Sequence, residues 1–209
     1  MHRHGKPAAP VTRDPDRTRS RILAAALAEF SANGFAGARV DAIARRAKGN
    51  KRMIYHYFGN KEDLFRAVLR HKMAERQAWA AQLPSDPAER LPFWFEMACG
   101  DADWVRLLEW EALQDHAGKV IDEQQRRSDS TGWLRRLRQR QRHGELSADF
   151  DAGHMAVAIQ SLTLFPVAFP QLIRVMTGRS VSDPKFQRDY RKFLKKFAVA
   201  FRPRVCSGK

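Results

Sequence analysis

The chain has 209 residues, 44% of them hydrophobic, and a formal net charge of +15 from 38 Lys/Arg against 23 Asp/Glu. That length buries a full core but is short for more than two modest domains, and no run of about 18 apolar residues offers a membrane helix. Cys99 and Cys206 are too few and too far apart for a disulfide framework or a zinc cluster, so reduced thiols and no metal are expected. The charge divides unevenly, with 16 Lys/Arg against 7 Asp/Glu in residues 1–75 (+9) and 22 against 16 in residues 76–209 (+6). A basic surface favours polyanions without choosing among DNA, RNA and anionic lipid.

Residues 1–16 carry mixed charges, prolines and no apolar period, which predicts a flexible basic arm. They lack the apolar core of a secretory signal, so a cytoplasmic location is expected. His2 and His4 in this arm make a weak metal site at most. A first helix is predicted over 18–33, with Ile22, Leu23, Ala26, Leu27 and Phe30 on one face and Gly34 as its stop. Val40, Ile43, Ala44 and Ala47 recur at helical spacing, as do Ile54 and Phe58. Between these two patterns lie Lys48, Gly49 and Asn50. Asn50 is a good N-cap for the next helix, and Gly49 can take the positive φ of a tight turn. With Ile54 and Phe58 inward, Lys51 and Tyr55, and likewise Arg52 and His56, form outward pairs on a cationic, aromatic face. A helix of eight residues, about 12 Å long, fits a B-DNA major groove about 12 Å wide.

Asn60, with Glu62 and Asp63 in the first turn, opens a fourth helix predicted to run to about residue 82 with Leu64, Phe65, Val68 and Leu69 on its apolar face. Leu83, Pro84, Ser85, Asp86 and Pro87 then read as a break. The remainder reads helical: a segment opened by Asp86, Pro87 and Glu89 that Pro92 kinks or delays, then 103–114, 119–142 and 148–165, and a last helix opened by Asp183 and Pro184 that ends before Pro203. Residues 152–171 are nearly all apolar and are expected to form the deepest helix. Prolines 166 and 170 and polar flanks interrupt that run too early for a membrane span. The basic run 135–142 is expected to be a solvated helix face.

The sequence YHYFGNKEDL after a helix-turn-helix, with IAR before it and LAAALAEFSANGF upstream, resembles the tetracycline-repressor (TetR) family over residues 17–69. It departs from that family in two places. The family usually has Ala-Gly-Val through the turn where Ala47, Lys48 and Gly49 stand, and often Ser or Thr in place of Arg39. The resemblance implies an all-α fold: a three-helix DNA-binding head over 17–69, joined by the helix of about 60–82 to a helical ligand-binding and dimerisation domain over 70–209. It implies a bacterial transcriptional regulator with double-stranded DNA as partner. Lys51 and Arg52 would meet base edges, with Arg52 gripping guanine, and Met53 would offer a thymine methyl an apolar contact. Tyr55, His56, Tyr57 and Lys61 would hold phosphates by matching family positions, and Arg39 is a further phosphate candidate.

The family typically pairs as a two-fold dimer through its last long helices. This makes Tyr190, Phe193, Leu194 and Phe197, on an aromatic-rich stripe, the expected dimer interface, with burial in the same subunit as the alternative. A homodimer would read a palindromic operator, and an unidentified small-molecule effector would release it. Trp94, Trp104 and Trp110, with the polar His154 and Gln160, are candidate linings of the effector pocket; for each the alternative is an ordinary core or hydrogen-bonded residue. An enzyme would need a reactive constellation, whereas the chain offers only scattered Cys99, Asp103 and His116 and no phosphate loop or nucleophile elbow. No cofactor is expected. An architectural DNA-binding protein of low specificity would also fit the charge.

Overall fold

The computed structural model describes residues 14–113 and 120–203. His2, His4, His116, Cys206 and most of the expected basic arm lie outside the described residues, which form ten α-helices and no strand.

Helix α1 (Pro15–Gly37) begins where the Asp14 carboxylate accepts the amides of Asp16 and Arg17 and Pro15 fills the first position, a few residues before the predicted start. Gly34 interrupts it as expected, at φ 67° and ψ 178°, and one further turn follows. Helices α2 (Val40–Arg46), α3 (Lys51–Phe58) and α4 (Lys61–Ala80) complete the head. Ile22, Phe30, Ile43, Ile54, Leu64 and Phe65 are wholly or almost wholly withdrawn from water, each burial stabilising by about 1.5–3 kcal/mol. Phe30 meets Phe65 edge to face at 4.9 Å between centroids. This core does not stop at the head, because Trp104 and Leu107 of α6 (Ala102–Leu113) belong to the same cluster and α1 packs along α6.

The break after α4 leads through a 3₁₀ turn, Pro87–Glu89, into α5 (Arg90–Gly100). Pro92 causes no kink there, since it falls in the first turn, where its missing N–H has no partner to lose. Helices α7 (Glu123–Arg142), α8 (Ala152–Ala168), α9 (Pro170–Thr177) and α10 (Pro184–Val199) follow. The side of α7 bearing Arg135, Arg138 and Arg142 is solvated, as its composition predicts.

Two expectations for the apolar run change. It is not one deep helix: a bend of 88° at Phe169 separates α8 from α9, because Pro170 can open a helix but cannot continue one. Nor is α8 the deepest helix, since Val157 on it is 65% exposed and Phe165 and Phe169 are also open to solvent. No single helix among the described residues is long and apolar enough to cross a membrane. Pro166 sits inside α8 without ending it. Lacking an N–H, it leaves the carbonyl of Leu162 without its helical donor, and the Tyr190 hydroxyl donates to that oxygen at 2.9 Å instead.

That contact also revises the expected dimer residues. Tyr190 is turned into its own subunit, stacked on Phe186 and edge-on to Phe95. Leu194 is 0% exposed and so is removed from any interface with a second chain. Phe193 stays exposed, whereas Phe197 is half-buried between the rings of Phe193 and Phe201.

Candidate nucleic-acid interface and effector cavity

Helix α3 is fixed at both ends. The Asn50 side chain accepts the Met53 amide at 2.8 Å, and Gly59, at φ 80°, terminates the helix. Ile54 and Phe58 face the core, which turns Lys51, Arg52, Tyr55 and His56 to solvent as their spacing predicts. The turn before α3 differs from expectation: the positive φ, 51°, falls on Lys48 and not on Gly49. Gly49 lies under the Met53 methyl, which a Cβ there, at 2.0 Å, would push aside.

The proposed DNA-contacting side chains are not equally free. Arg52 is exposed and makes no hydrogen bond or ion pair among the described residues. Lys51 pairs with Asp41 of α2 at 2.9 Å, and hydrogen bonding and attraction to that carboxylate raise its pKa. Tyr55 and His56 are exposed, while Met53 and Tyr57 are half-buried against the head's core, with the Met53 methyl over Gly49. Lys61 is folded back: its Nζ donates to the Ala36 carbonyl at 3.4 Å and lies 4.9 Å from the centre of the Phe35 ring, and burial lowers its pKa. Arg39 is exposed, and its backbone N–H donates to the buried Glu29 carboxylate at 3.1 Å, which supplies an anchor at the start of α2 that no side-chain cap provides.

A cavity of about 320 Å³ lies where the end of α4 meets α5, α6, α7 and α8. Trp94, Trp104 and Gln160 line it. Trp110 and His154 do not join them. The Trp110 indole N–H donates to the Ser31 carbonyl at 3.1 Å and its ring covers Gly34, so it joins α6 to α1. The His154 side chain is 91% exposed at the start of α8, beside Asp151 at 3.6 Å. The guanidinium of Arg76 lies 5.5 Å from the ring centre of Trp79, 6.0 Å from that of Trp94 and 5.5 Å from that of Trp104. Burial lowers its pKa, opposed by Asp101. Arg126 pairs with Glu111 at 2.7 Å. Arg76 Nη1 and Arg126 Nε and Nη2 are buried without a hydrogen-bond partner among the described residues.

Helix α4 connects the two regions. Its first half supplies Leu64, Phe65 and Val68 to the head's core, and its second half supplies Met73, Arg76, Gln77 and Ala80 to the cavity wall. Two ion pairs fasten it between. Arg70 grips Asp122, before α7, through two bonds of 2.7 and 2.9 Å. Lys72, with its side chain 8% exposed, meets Asp101, between α5 and α6, at 2.9 Å.

The family model for bacterial regulatory proteins, tetR family, matches residues 22–68, and that for the tetracyclin repressor-like C-terminal domain matches residues 88–199. The chain belongs to the TetR family. The HTH-type transcriptional repressor SCO4008 of Streptomyces coelicolor is 32% identical over 172 residues, covering 80% of this chain and 88% of that protein. The HTH-type transcriptional repressor NicS of Pseudomonas putida is 31% identical over 194 residues, covering 88% and 92%. Among solved structures, the transcriptional regulator SCO4942 from Streptomyces coelicolor superposes with a TM-score of 0.72 at 29% identity, covering 90% of this chain and 99% of that one. The regulator FadR of Bacillus subtilis, solved with stearoyl-CoA, shares the fold at a TM-score of 0.60 and 22% identity, covering 84% and 96%.

TetR membership makes the chain a transcriptional regulator and not an enzyme. It also gives meaning to residues that sequence reasoning passed over. Arg21 of α1 donates to the carbonyl of Ala47 at 2.8 Å and so closes the C-terminal end of α2 beside the turn. Arg45 and Arg46 are exposed cations at the end of α2, a signal present in the sequence as basic residues off the apolar spacing. Trp133 of α7 lines the cavity, yet its own helix is too polar to mark it. Lys48 stands where the family's turn glycine usually does, and there the structure places the positive φ.

Proposed function

We propose that the protein is a homodimeric repressor in the bacterial cytoplasm that reads a palindromic operator and is released by a small molecule bound in the cavity. The head over 17–69 reads DNA, and the helical remainder over 70–209 pairs the subunits and holds the effector. The observation that carries this is the exposed cationic and aromatic face of α3, held at fixed pitch by the Asn50 cap and the Ile54 and Phe58 contacts. Two relatives bear the name repressor, which supports that sign of regulation.

In this reading Arg52 takes a guanine edge, and Lys51, once it leaves Asp41, takes a second base. Arg39, Tyr55 and His56 hold phosphates, and Lys61 does so after leaving Phe35. Met53 and Tyr57 chiefly set the pitch of α3 against the head. Val157 and Phe165 of α8, Leu172, Val175 and Met176 of α9 and Phe193 of α10 are apolar and open to water, a surface suited to a second copy. Pairing there sets two heads on half-sites about 34 Å apart or a multiple of it. Effector binding favours the state with misplaced heads, and α4 carries the shift because it reaches both the cavity and the head.

The test compares operator with random duplex. Arg52→Ala is expected to cost about 1–3 kcal/mol on the operator and to relax preference at one base, whereas Arg39→Ala weakens both duplexes alike and lowers the salt slope by about one. Equal losses on operator and random DNA for both variants would favour an architectural protein and sink the repressor reading.

A further inference from the structure

Burial makes the arginines of the cavity unusual. Guanidinium groups donate and never accept, and they stay charged inside proteins, so an unpartnered buried one draws an acceptor, from a neighbouring side chain or from outside. Arg76 and Arg126 present three such atoms among the described residues, against one buried acceptor without a partner, Asp101 Oδ2, so the donors outnumber what the protein offers them. Both line the cavity with Arg90, Arg136, Arg140 and Arg202, against only two carboxylates, Asp129 and Glu145. Glu145 is shared, 3.3 Å from Arg90 and 3.9 Å from Arg140, while Arg126 pairs with Glu111 at 2.7 Å and Arg202 with Asp86 at 3.7 Å, which leaves Arg76 and Arg136 without an ion pair among the described residues. The lining therefore has an excess of positive charge in a concave, partly apolar site, where a counter-charge is worth more than in open water.

Its other surfaces are flat. Trp94 and Trp104 flank Arg76, and Trp133 lies on the wall formed by α7. At about 320 Å³ the cavity is at the small end of ligand sites, which run from about 300 to 1,000 Å³. That suits a body of one or two rings better than a long acyl chain.

We propose that the cavity takes a small aromatic carboxylate, its anion held by the free donors of Arg76 and Arg126 and its ring laid against Trp94, Trp104 and Trp133. This rests on the cavity being the effector site. It adds the ligand's class and a route for its effect, because Arg76 is on α4, one turn beyond the Lys72–Asp101 pair that fastens this helix. A carboxylate at Arg76 competes with Asp101 for the same positive region and changes how α4 is held.

The test is calorimetric titration of the full-length protein with 1-naphthoate, its neutral isostere 1-naphthamide, and decanoate. The acid is expected to bind at least about tenfold more tightly than the amide, the worth of a charge-assisted hydrogen bond, and more tightly than decanoate. Arg76→Gln and Arg126→Gln should lower that acid-to-amide ratio, Arg76→Lys should restore part of it, and Trp133→Leu should weaken both ring compounds alike. Circular dichroism and melting temperature identify folded variants, and a ratio unchanged in folded Arg76→Gln and Arg126→Gln overturns the assignment. So does equal or tighter binding of the amide, a preference for decanoate, or no binding of naphthoate. Operator affinity with naphthoate present is read separately. Anion-selective binding with no effect on DNA upholds the ligand class and overturns the effector role.

Discussion

Gly34→Ala tests how firmly the DNA-binding head is seated on the rest of the molecule. Gly34 has φ 67° and ψ 178°, a region almost confined to glycine, and an alanine held there costs about 1–3 kcal/mol in backbone strain. The added methyl would also lie 2.7 and 2.8 Å from Cδ2 and Cε3 of Trp110. That ring cannot easily retreat, since its N–H is bonded to the Ser31 carbonyl at 3.1 Å, and overpacking of this kind adds about 1–3 kcal/mol. The sum is about 2–6 kcal/mol, a large share of the roughly 5–15 kcal/mol that stabilises a domain. Urea unfolding followed by circular dichroism measures it. In a Trp110→Leu background the overlap disappears, and the same substitution should cost only its backbone share of about 1–3 kcal/mol. A loss below about 1 kcal/mol in the parent, or an equal loss in both backgrounds, would refute the reasoning.

Tyr190→Phe leaves the Leu162 carbonyl without its donor and is expected to cost about 1–2 kcal/mol; combined with Pro166→Ala, which restores a helical N–H, it should cost clearly less, and equal costs would show that the hydroxyl does not replace that bond. Lys48→Gly removes left-handed strain of about 1–2 kcal/mol and adds back about 0.5–1 kcal/mol of chain entropy. A small gain in urea midpoint is therefore expected, and a loss would contradict the positive φ at that turn. Phe165→Asp places a charge on the exposed face of α8, and sedimentation should show a shift from dimer to monomer with the helical content kept; an unchanged dimer would move the interface elsewhere.

Local chemistry made the head legible in the sequence. The apolar spacing of Ile54 and Phe58, the Asn50 and Asn60 caps and the Gly34 stop each act within a few residues, and the structure keeps all of them. The same spacing implied which side chains of α3 face outward. It did not show that Lys51 meets Asp41 or that Lys61 lies on Phe35, since those partners come from other helices. The positive φ of the turn falls on Lys48, one residue before the glycine that composition favours for it, because the backbone path between α2 and α3 and not the residue type fixes where the chain reverses.

In the helical remainder, the sequence determined by itself that the segments are helices and that one face of each is apolar. Only the tertiary structure decided what each face meets. Trp104 and Trp110 lie on the same helix, yet one lines a cavity and the other closes a joint with α1, because a step of six positions along the helix turns the two rings toward different neighbours. Leu194 belongs to its own subunit's core and Phe193, next to it, to the surface. Pro166 leaves α8 intact because Tyr190, distant in the chain, supplies a donor to the carbonyl that proline cannot reach. Periodicity and capping are short-range and can be read along the chain, whereas burial and charge pairing depend on which helices become neighbours.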